Sequence, residues 1–390
     1  MTVTFVANFM NHHQLPFSEE MIKLTDGGYT FLATSPLYEE QASLGYEDMN
    51  QRPFVIRLYE NEAEYNKGME KIKNDDMVIF GSCPNEYISM RKATGKPFII
   101  YSERFFKKGL WRRFIPITYK KVYNRMLRFE AENMRTICSS AYLPYELKLL
   151  KSNIKTYKWG YFPKHTEYED IDNLIGSKKK NSIIWVARFI ELKHPEVALE
   201  IATRLKKEGY DFELNFVGKG EMQSFIEKEI EKRGLKEHVH ILGAMSPDMV
   251  RAHMEKSEIF LFSSDQREGW GAVMNESMNS GCAVVANRLA GAAPYLVEHG
   301  KNGFLYNSKD IDEAYERVKY LLDNPEKRKL MGRNAYETMA SKWNYAVAAQ
   351  RLYAIIDAMV NGKEDPVFED GPCSIAKVIS PKGRVKYDKE

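Results

Sequence analysis

Glu268 and Glu276 stand eight residues apart in the run S-S-D-Q-R-E-G-W-G-A-V-M-N-E, residues 263–276. Between them lie Gly269, Trp270 and Gly271, then a pattern that reads as the first turns of a helix. The preceding I-F-L-F is a short apolar run of the kind buried in a sheet. A strand, a glycine loop and a helix, with one carboxylate in the loop and one on the helix, suit a phosphorylated ligand that also carries hydroxyls. The helix start offers amide donors to phosphate, and carboxylates accept from hydroxyls. The combination points to nucleotide-sugar chemistry. Glu276 falls between Met274 and Met278, so its carboxylate is expected to be paired or liganded rather than solvated.

The elements that must position these groups alternate twice along the chain. In the first half, β-rich runs at 3–7, 29–33, 77–80, 98–101, 136–138 and 155–157 are separated by helical patterns. The second half restarts with strands expected at 183–187, 213–217, 239–242, 259–262 and 283–286, and helices at 195–207, 221–233 and 249–256. Strands alternating with helices predict an α/β fold of parallel sheets covered on both faces. The expected division is an N-terminal domain over 1–165, a polar linker over 166–180, a second domain over 181–345, and a crossing helix and tail over 346–390.

Ligands on such sheets bind beyond the carboxyl ends of the strands. There the second half places Arg188 and Lys193, then Gly218 in G-K-G-E, Gly243 before Ala244-Met245-Ser246, the 263–268 loop, and Gly291 in N-R-L-A-G-A-A-P. Arg188 and Lys193 could neutralise a diphosphate, Arg with its bidentate fork. The amides of Gly269, Trp270, Gly271 and Ala272 could add donors, Glu276 could take two ribose hydroxyls, and Glu268 could reach a sugar. Singly each has a bland reading as a solvated charge or an ordinary turn; the force lies in their concurrence.

These same runs, W-V-A-R-F, L-K-H-P, F-V-G-K-G-E, the 263–286 stretch and A-G-A-A-P-Y-L-V-E-H-G-K-N-G-F-L, resemble the C-terminal half of the family 4 (group 1) retaining glycosyltransferases. The likeness covers about 180–310 in order and spacing, and extends to transferases of capsule and cell-surface polysaccharide synthesis. It implies two Rossmann-like doubly wound domains facing across a cleft (the GT-B fold), with a C-terminal helix crossing back to the first domain. It implies that Arg188 and Lys193 bind the donor diphosphate, Glu268 the donor sugar and Glu276 the ribose. Ala187 stands where the family often has Gly, and Tyr295 where it often has Glu.

The first half resembles the family in architecture only. Its first loop, A-N-F-M-N-H-H-Q-L-P-F, lacks G-x-G-x-x-G, which argues against a nicotinamide or flavin enzyme. Asn11, His12 and His13 follow the first strand and are expected at the site. Ser102 and Glu103 follow the 98–101 strand, with Glu103 as an acceptor-facing carboxylate or, equally, the partner of Arg104 or a nearby lysine. From Arg104 to Arg128 nine basic residues occur with no acidic one, interleaved with Phe105, Phe106, Trp111, Phe114, Tyr119 and Tyr123. Arg104, Lys107, Lys108, Trp111, Arg112 and Arg113 lead this patch, which suits an anionic bilayer better than nucleic acid, since no nucleic-acid motif accompanies it.

Net charge is +3 over 390 residues, 44% hydrophobic and 28% charged, as in a globular chain. Four scattered cysteines suit a reducing compartment. No run reads as a leader or a membrane span. A cytoplasmic protein with peripheral contact at the inner membrane face is therefore expected. No cofactor or metal is implied: the D-x-D at Asp170 and Asp172 lies in the expected linker. The reading is transfer of a hexose-type residue from a UDP- or GDP-sugar to a glycan or lipid-linked glycan, with retained configuration. Its rivals are a nucleotide-sugar epimerase of similar fold and a catalytically dead sugar- or membrane-binding adaptor.

Overall fold

Among the residues that the structure, a computed structural model, describes (1–38 and 47–387), thirteen β-strands form two sheets with every ladder parallel. Parallel strands are buried on both faces, so they read as unbroken apolar runs rather than alternating ones. Met77–Phe80 (M-V-I-F) and Ile259–Phe262 (I-F-L-F) are buried at every position.

The chain divides into two units. Unit 1 comprises Met1–Lys164 and Trp343–Ser380. Its sheet holds β1 (Val3–Ala7), β2 (Tyr29–Ala33), β3 (Val55–Arg57), β4 (Met77–Phe80), β5 (Phe98–Ser102), β6 (Met134–Cys138) and β7 (Thr156–Lys158), in the order 3-2-1-4-5-6-7. Unit 2 comprises His165–Lys342 and the segment beginning at Pro381. It holds β8 (Ser182–Val186), β9 (Glu213–Val217), β10 (Val239–Gly243), β11 (Ile259–Phe262), β12 (Ala283–Asn287) and β13 (Gly303–Tyr306), in the order 10-9-8-11-12-13. In each sheet the order reverses beside the first strand, which is where such sheets open a crevice at the carboxyl ends.

The helices follow their sequence signals. Pro195 opens Pro195–Lys207, where a missing N–H costs nothing. Ala198, Leu199, Ile201, Ala202 and Leu205 then turn one face to the core. The last helix, Tyr345–Val360, starts at Asn344, whose side chain accepts the Val347 N–H at 2.9 Å. It buries Ala348, Leu352, Ile355 and Ile356 and packs in unit 1 against Leu15–Leu24.

Several expectations need correction. β3 and β13 were not anticipated. The polar stretch 166–180 is not a linker but part of unit 2: Asp170 caps the helix Ile171–Ser177, accepting from Asn173 N–H at 2.9 Å. At its end the Lys178 ammonium is buried and donates to the carbonyls of Met254, Glu255, Ser257 and Ser280 at 2.8–3.1 Å. These carbonyls lie at or just beyond the ends of the helices Pro247–Glu255 and Val273–Asn279, so one cation donates to the acceptors of two helix ends.

The described part of the tail is also packed. Asp365 receives Arg135 Nε at 2.7 Å and Lys155 Nζ at 2.6 Å, and Lys158 N–H donates to Ser374 O at 2.8 Å. Further on, Asn307 brackets Val385, donating to its carbonyl at 2.8 Å and accepting its N–H at 2.9 Å. Arg288 reaches the carbonyls of Pro381 and Gly383, and the Tyr387 ring stacks on His299 at 4.2 Å. Residues 388–390 lie outside the described residues.

Lys178→Ala removes a charged donor shared by four carbonyls, of which Met254 O keeps the Ser257 N–H and Met254 O and Ser257 O keep the Cys282 thiol. It is expected to lower the stability of unit 2 by about 3 kcal/mol or more, read by urea denaturation. A loss no larger than that of an exposed control such as Lys180→Ala would refute the bracing role.

Candidate active site

The carboxyl rim of the unit 2 sheet is laced by its own backbone. Gly218 N–H donates to Gly243 O at 2.8 Å, and Phe189 N–H to Lys219 O at 2.9 Å. Gly218 has φ +136°, and a Cβ there would overlap the Ala187 carbonyl. Glycine at 218 is thus a condition for the loops after β8, β9 and β10 to lie side by side. The bond uses the Gly218 N–H and the Gly243 carbonyl, so these two groups shape the rim. Gly271, at φ +96°, lets the helix Val273–Asn279 approach β11: a Cβ there would overlap the Phe262 ring.

Lys193 and Glu268 meet. They come from the turns after β8 and β11, and the Lys193 ammonium is ion-paired to Glu268 Oε2, with both side chains largely enclosed. The loops that carry them are fastened behind the pair. Ser263 Oγ accepts from Trp185 Nε1 at 2.8 Å and donates to Lys193 O at 2.6 Å. Asp265 N–H donates to Leu192 O at 3.0 Å. Asp265 also accepts from His194 Nε2 at 3.1 Å and from the Arg267 guanidinium at 2.8–3.2 Å. Burial alone would raise the Asp265 carboxyl, but the bonds from His194 and Arg267 outweigh it and hold it at about 2. The bonds to Asp265 and Glu196 push His194 up to about 9. His194, Asp265 and Arg267 were not foreseen as site residues, although H-P directly after Lys193 and D-Q-R directly before Glu268 are visible in the sequence.

Arg188 is exposed on the same rim. Gly269 is buried there, and Trp270 does not offer its side chain to a ligand: the indole is buried and its N–H goes to Asn275 Oδ1 at 2.9 Å. Gly291 N–H is taken by Glu268 O at 3.3 Å, and Ala292 N–H by Trp270 O at 3.2 Å. The 287–294 loop therefore braces the glutamate loop with its own amides, Gly291 among them. Tyr295, where the family often has Glu, is buried with its ring 6.3 Å from that of Trp270.

In unit 1 the expected residues also converge. His13 lies after β1 and stacks on Tyr161 at 4.5 Å with the rings 10° from parallel. His12 stands edge-on to His13 at 4.8 Å. Tyr161 donates to Glu103 Oε1 at 2.5 Å, and Glu103 is ion-paired with Lys107. Burial lowers both imidazoles, and the charge of His12 adds to the effect on His13, so both are neutral near pH 7. A cavity of about 20 Å³ beside His13, Gln14, Tyr101 and Tyr161 has room for one water. His13 Nδ1 is enclosed without a hydrogen-bonding partner among the described residues. Tyr161, a loop residue after β7, was missed because nothing local marks it.

The basic stretch 104–128 is not one surface. Arg104 has to be removed from the patch: it is buried, its Nε donates to Glu146 Oε1 at 3.1 Å, and its guanidinium lies 5.0 Å from the Tyr142 ring. Glu146 also takes the Phe105 and Phe106 N–H groups at 2.6 and 3.1 Å, so the pair folds the loop after β5. Arg125 and Arg128 turn to Cys83 O and Ser89 Oγ, each at 3.1 Å. What remains outside is Lys108, Lys120 and Lys121, with Lys107, Arg112 and Arg113 half-buried. Trp111, Phe114 and Ile117 stand among them at 60%, 74% and 65% exposure, an apolar protrusion that a globular surface does not need.

Glu276 is half-buried on the helix after the glycine loop, and no side-chain hydrogen bond to its carboxylate occurs among the described residues. Burial pushes it up to about 7, against the opposing charge of Arg251. A folded-state value above the ordinary 4.5 means that the native state holds the proton more tightly than the unfolded chain. Stability from this group is fully present below pH 4.5 and falls as pH rises to about 7. Glu276→Gln is therefore expected to stabilise the protein by about 1–3 kcal/mol at pH 8 and by little at pH 4.5, measured by urea denaturation. An effect equal at both pH values would contradict the strained carboxylate.

Residues 167–338 match the family model described as "Glycosyl transferases group 1". The alpha-D-kanosaminyltransferase of Streptomyces kanamyceticus is 30% identical over 173 residues, 44% of this chain and 44% of that protein. The putative colanic acid biosynthesis glycosyltransferase WcaL of Escherichia coli K12 is 29% identical over 184 residues, 45% of each. The chain thus spans about half the length of the curated relatives it matches. The crystal structure of Anabaena Alr3699/HepE in complex with UDP superposes with a TM-score of 0.68 at 16% identity, over 92% of this chain and 100% of that one. That likeness assigns the GT-B fold. On the stretch that carries Lys193, Glu268 and Glu276, residues 167–338 are a glycosyl transferases group 1 domain.

Proposed function

We propose that the protein transfers a hexose-type residue from a nucleoside-diphosphate sugar, UDP- or GDP-linked, to a glycan or lipid-linked glycan in surface polysaccharide synthesis, with retained configuration. The observation that carries this reading is the meeting of Lys193 and Glu268 on the rim that also holds Arg188 and the carboxylate of Glu276, which takes no side-chain hydrogen bond among the described residues. A diphosphate replaces Glu268 as the counter-ion of Lys193 and is gripped by Arg188. Glu276 accepts the ribose hydroxyls, which offsets the cost of its burial. Glu268, released from Lys193, accepts from hydroxyls of the sugar. UDP in the Anabaena structure and the sugar-transferring relatives support this reading.

In the proposed reaction the anomeric carbon breaks its bond to the diphosphate oxygen and forms one to the acceptor oxygen on the same face. The acceptor proton passes to the departing diphosphate, whose charge Lys193 and Arg188 stabilise, so these cations lower the barrier by favouring the leaving group. Neither Glu268 nor Glu276 is a nucleophile in this scheme. In unit 1, Glu103, His12 and His13 face the acceptor: neutral imidazoles and a carboxylate held by Tyr161 and Lys107 accept and donate to sugar hydroxyls. No metal or organic cofactor takes part in the proposed scheme.

The exposed Trp111, Phe114 and Ile117 amid Lys108, Lys120 and Lys121 support a peripheral contact with an anionic membrane, where a lipid-linked acceptor resides. No helix among the described residues is long and apolar enough to cross a membrane.

Two measurements test these readings. Glu268→Gln leaves Lys193 without its internal counter-ion, so the free nucleoside diphosphate is expected to bind about 3–10-fold more tightly by calorimetry, while sugar transfer falls at least ~100-fold. Near-normal transfer would remove Glu268 from the site. Trp111→Glu with Phe114→Glu is expected to abolish co-sedimentation with phosphatidylglycerol vesicles and leave donor binding intact; unchanged vesicle binding would refute the contact.

A further inference from the structure

We propose that His194 is a positioning residue that sets the distance between Lys193 and Glu268 by clamping the turn after β8 to the loop after β11. The inference rests on the donor-site reading above and adds to it a residue that touches neither phosphate nor sugar.

His194 is unusual in three respects that belong together. Its φ is +51°, a left-handed conformation that an L-residue with a ring adopts at a cost, and so only where the surroundings enforce it. It sits between Lys193 and Pro195, so this backbone angle directs the chain from the lysine into the helix Pro195–Lys207. Both ring nitrogens face carboxylates: Nδ1 is 2.6 Å from Glu196 Oε1, and Nε2 is 3.1 Å from Asp265 Oδ2. Two carboxylate acceptors require two N–H donors, which only the imidazolium supplies.

Asp265 is the far end of the clamp and organises the glutamate loop. Its carboxylate takes the Arg267 backbone N–H at 2.8 Å, and its carbonyl takes the Glu268 N–H at 3.0 Å. The imidazolium–carboxylate contact is thus the charged tie between the loops of Lys193 and Glu268, beside the Asp265 N–H bond to Leu192 O and the Ser263 Oγ bond to Lys193 O. The charged and titratable groups around the ring are Glu196 and Lys193 on its own segment and Asp265 and Arg267 from the opposite loop. Glu191 is held by Arg267 at 2.9 Å, and Tyr306 of β13 lies near Glu196. The neighbouring carboxylates raise the imidazole to about 9, so the clamp is charged at neutral pH. Because the folded value exceeds the ordinary 6.5, its contribution is fully present below pH 6.5 and is lost as pH rises through about 9.

The test uses His194→Asn, because asparagine tolerates the left-handed conformation and removes only the imidazolium. UDP and GDP affinities of both proteins are measured by calorimetry at pH 7.5 and pH 10. Nucleobase ionisation and Lys193 are common to the two proteins, so only the difference between them is read. The variant is expected to bind about tenfold more weakly at pH 7.5, with the gap closing at pH 10, where the wild-type ring is neutral too. Equal affinity at pH 7.5, or a gap undiminished at pH 10, overturns the proposal. If neither protein binds either nucleotide, the donor-site reading fails, and the thermal midpoints of the free proteins decide the clamp. A midpoint difference that vanishes between pH 7.5 and 10 sustains it; a constant difference overturns it.

Discussion

A parallel sheet buried on both faces leaves one place for working polar groups, the loops beyond the carboxyl ends of its strands. Those loops are short and lack ladder partners of their own, so they must be tied by other means. In unit 2 the ties are specific: Gly218 to Gly243, Ser263 between Trp185 and Lys193, Asp265 to Leu192, His194 and Arg267, and Gly291 to Glu268. Unit 1 solves the same problem with a buried ion pair, Arg104–Glu146, that gathers the chain after β5. Such a pair contributes little net stability, since desolvation offsets its attraction, but it fixes one loop conformation.

The buried cations show the same economy. Lys178 in unit 2 and Arg91 in unit 1 each take several backbone carbonyls, Arg91 those of Ile72, Asp75, Asp76 and Pro97 at 2.7–3.2 Å. In both cases a single long side chain with several N–H groups gathers backbone carbonyls, most of them at or just beyond a helix end, where helical donors run out. The residues nearest the proposed chemistry behave differently. Lys193 and Glu268 satisfy each other, and the Glu276 carboxylate takes no side-chain hydrogen bond among the described residues, so the cost of burial sits where the proposed ligand would relieve it.

Much of this was legible in the sequence. Apolar runs such as M-V-I-F and I-F-L-F mark buried strands without ambiguity, and Pro195 marks a helix start. β3 has only three residues, and β13 begins at the glycine of K-N-G and has four, so neither shows a run long enough to stand out. The 166–180 stretch misled because a short helix anchored by one buried lysine has the composition of a linker. Arg104 misled because its partner Glu146 is 42 residues away. Trp270 looked like a ligand platform between two glycines, whereas its indole is buried on Asn275 and Gly271 serves the approach of the following helix to β11. Glu268 and Glu276 were singled out by the glycine spacing of their loop and Lys193 by its place beyond a strand; His194 and Tyr161 were not, because what they touch is set by tertiary structure alone.

The stretch that matches the family model ends at 338, but unit 2 takes in the chain from Pro381 as well. Arg288 and Asn307 are buried polar side chains at the ends of β12 and β13, and part of their bonding comes from Pro381, Gly383 and Val385. The Tyr387 ring covers His299 in the same way. A fragment excised at the boundaries of sequence likeness would therefore be a poorer folding unit than the likeness suggests: it would carry a guanidinium and an amide stripped of their carbonyl and N–H partners, on the flank of the loop that supports Glu268.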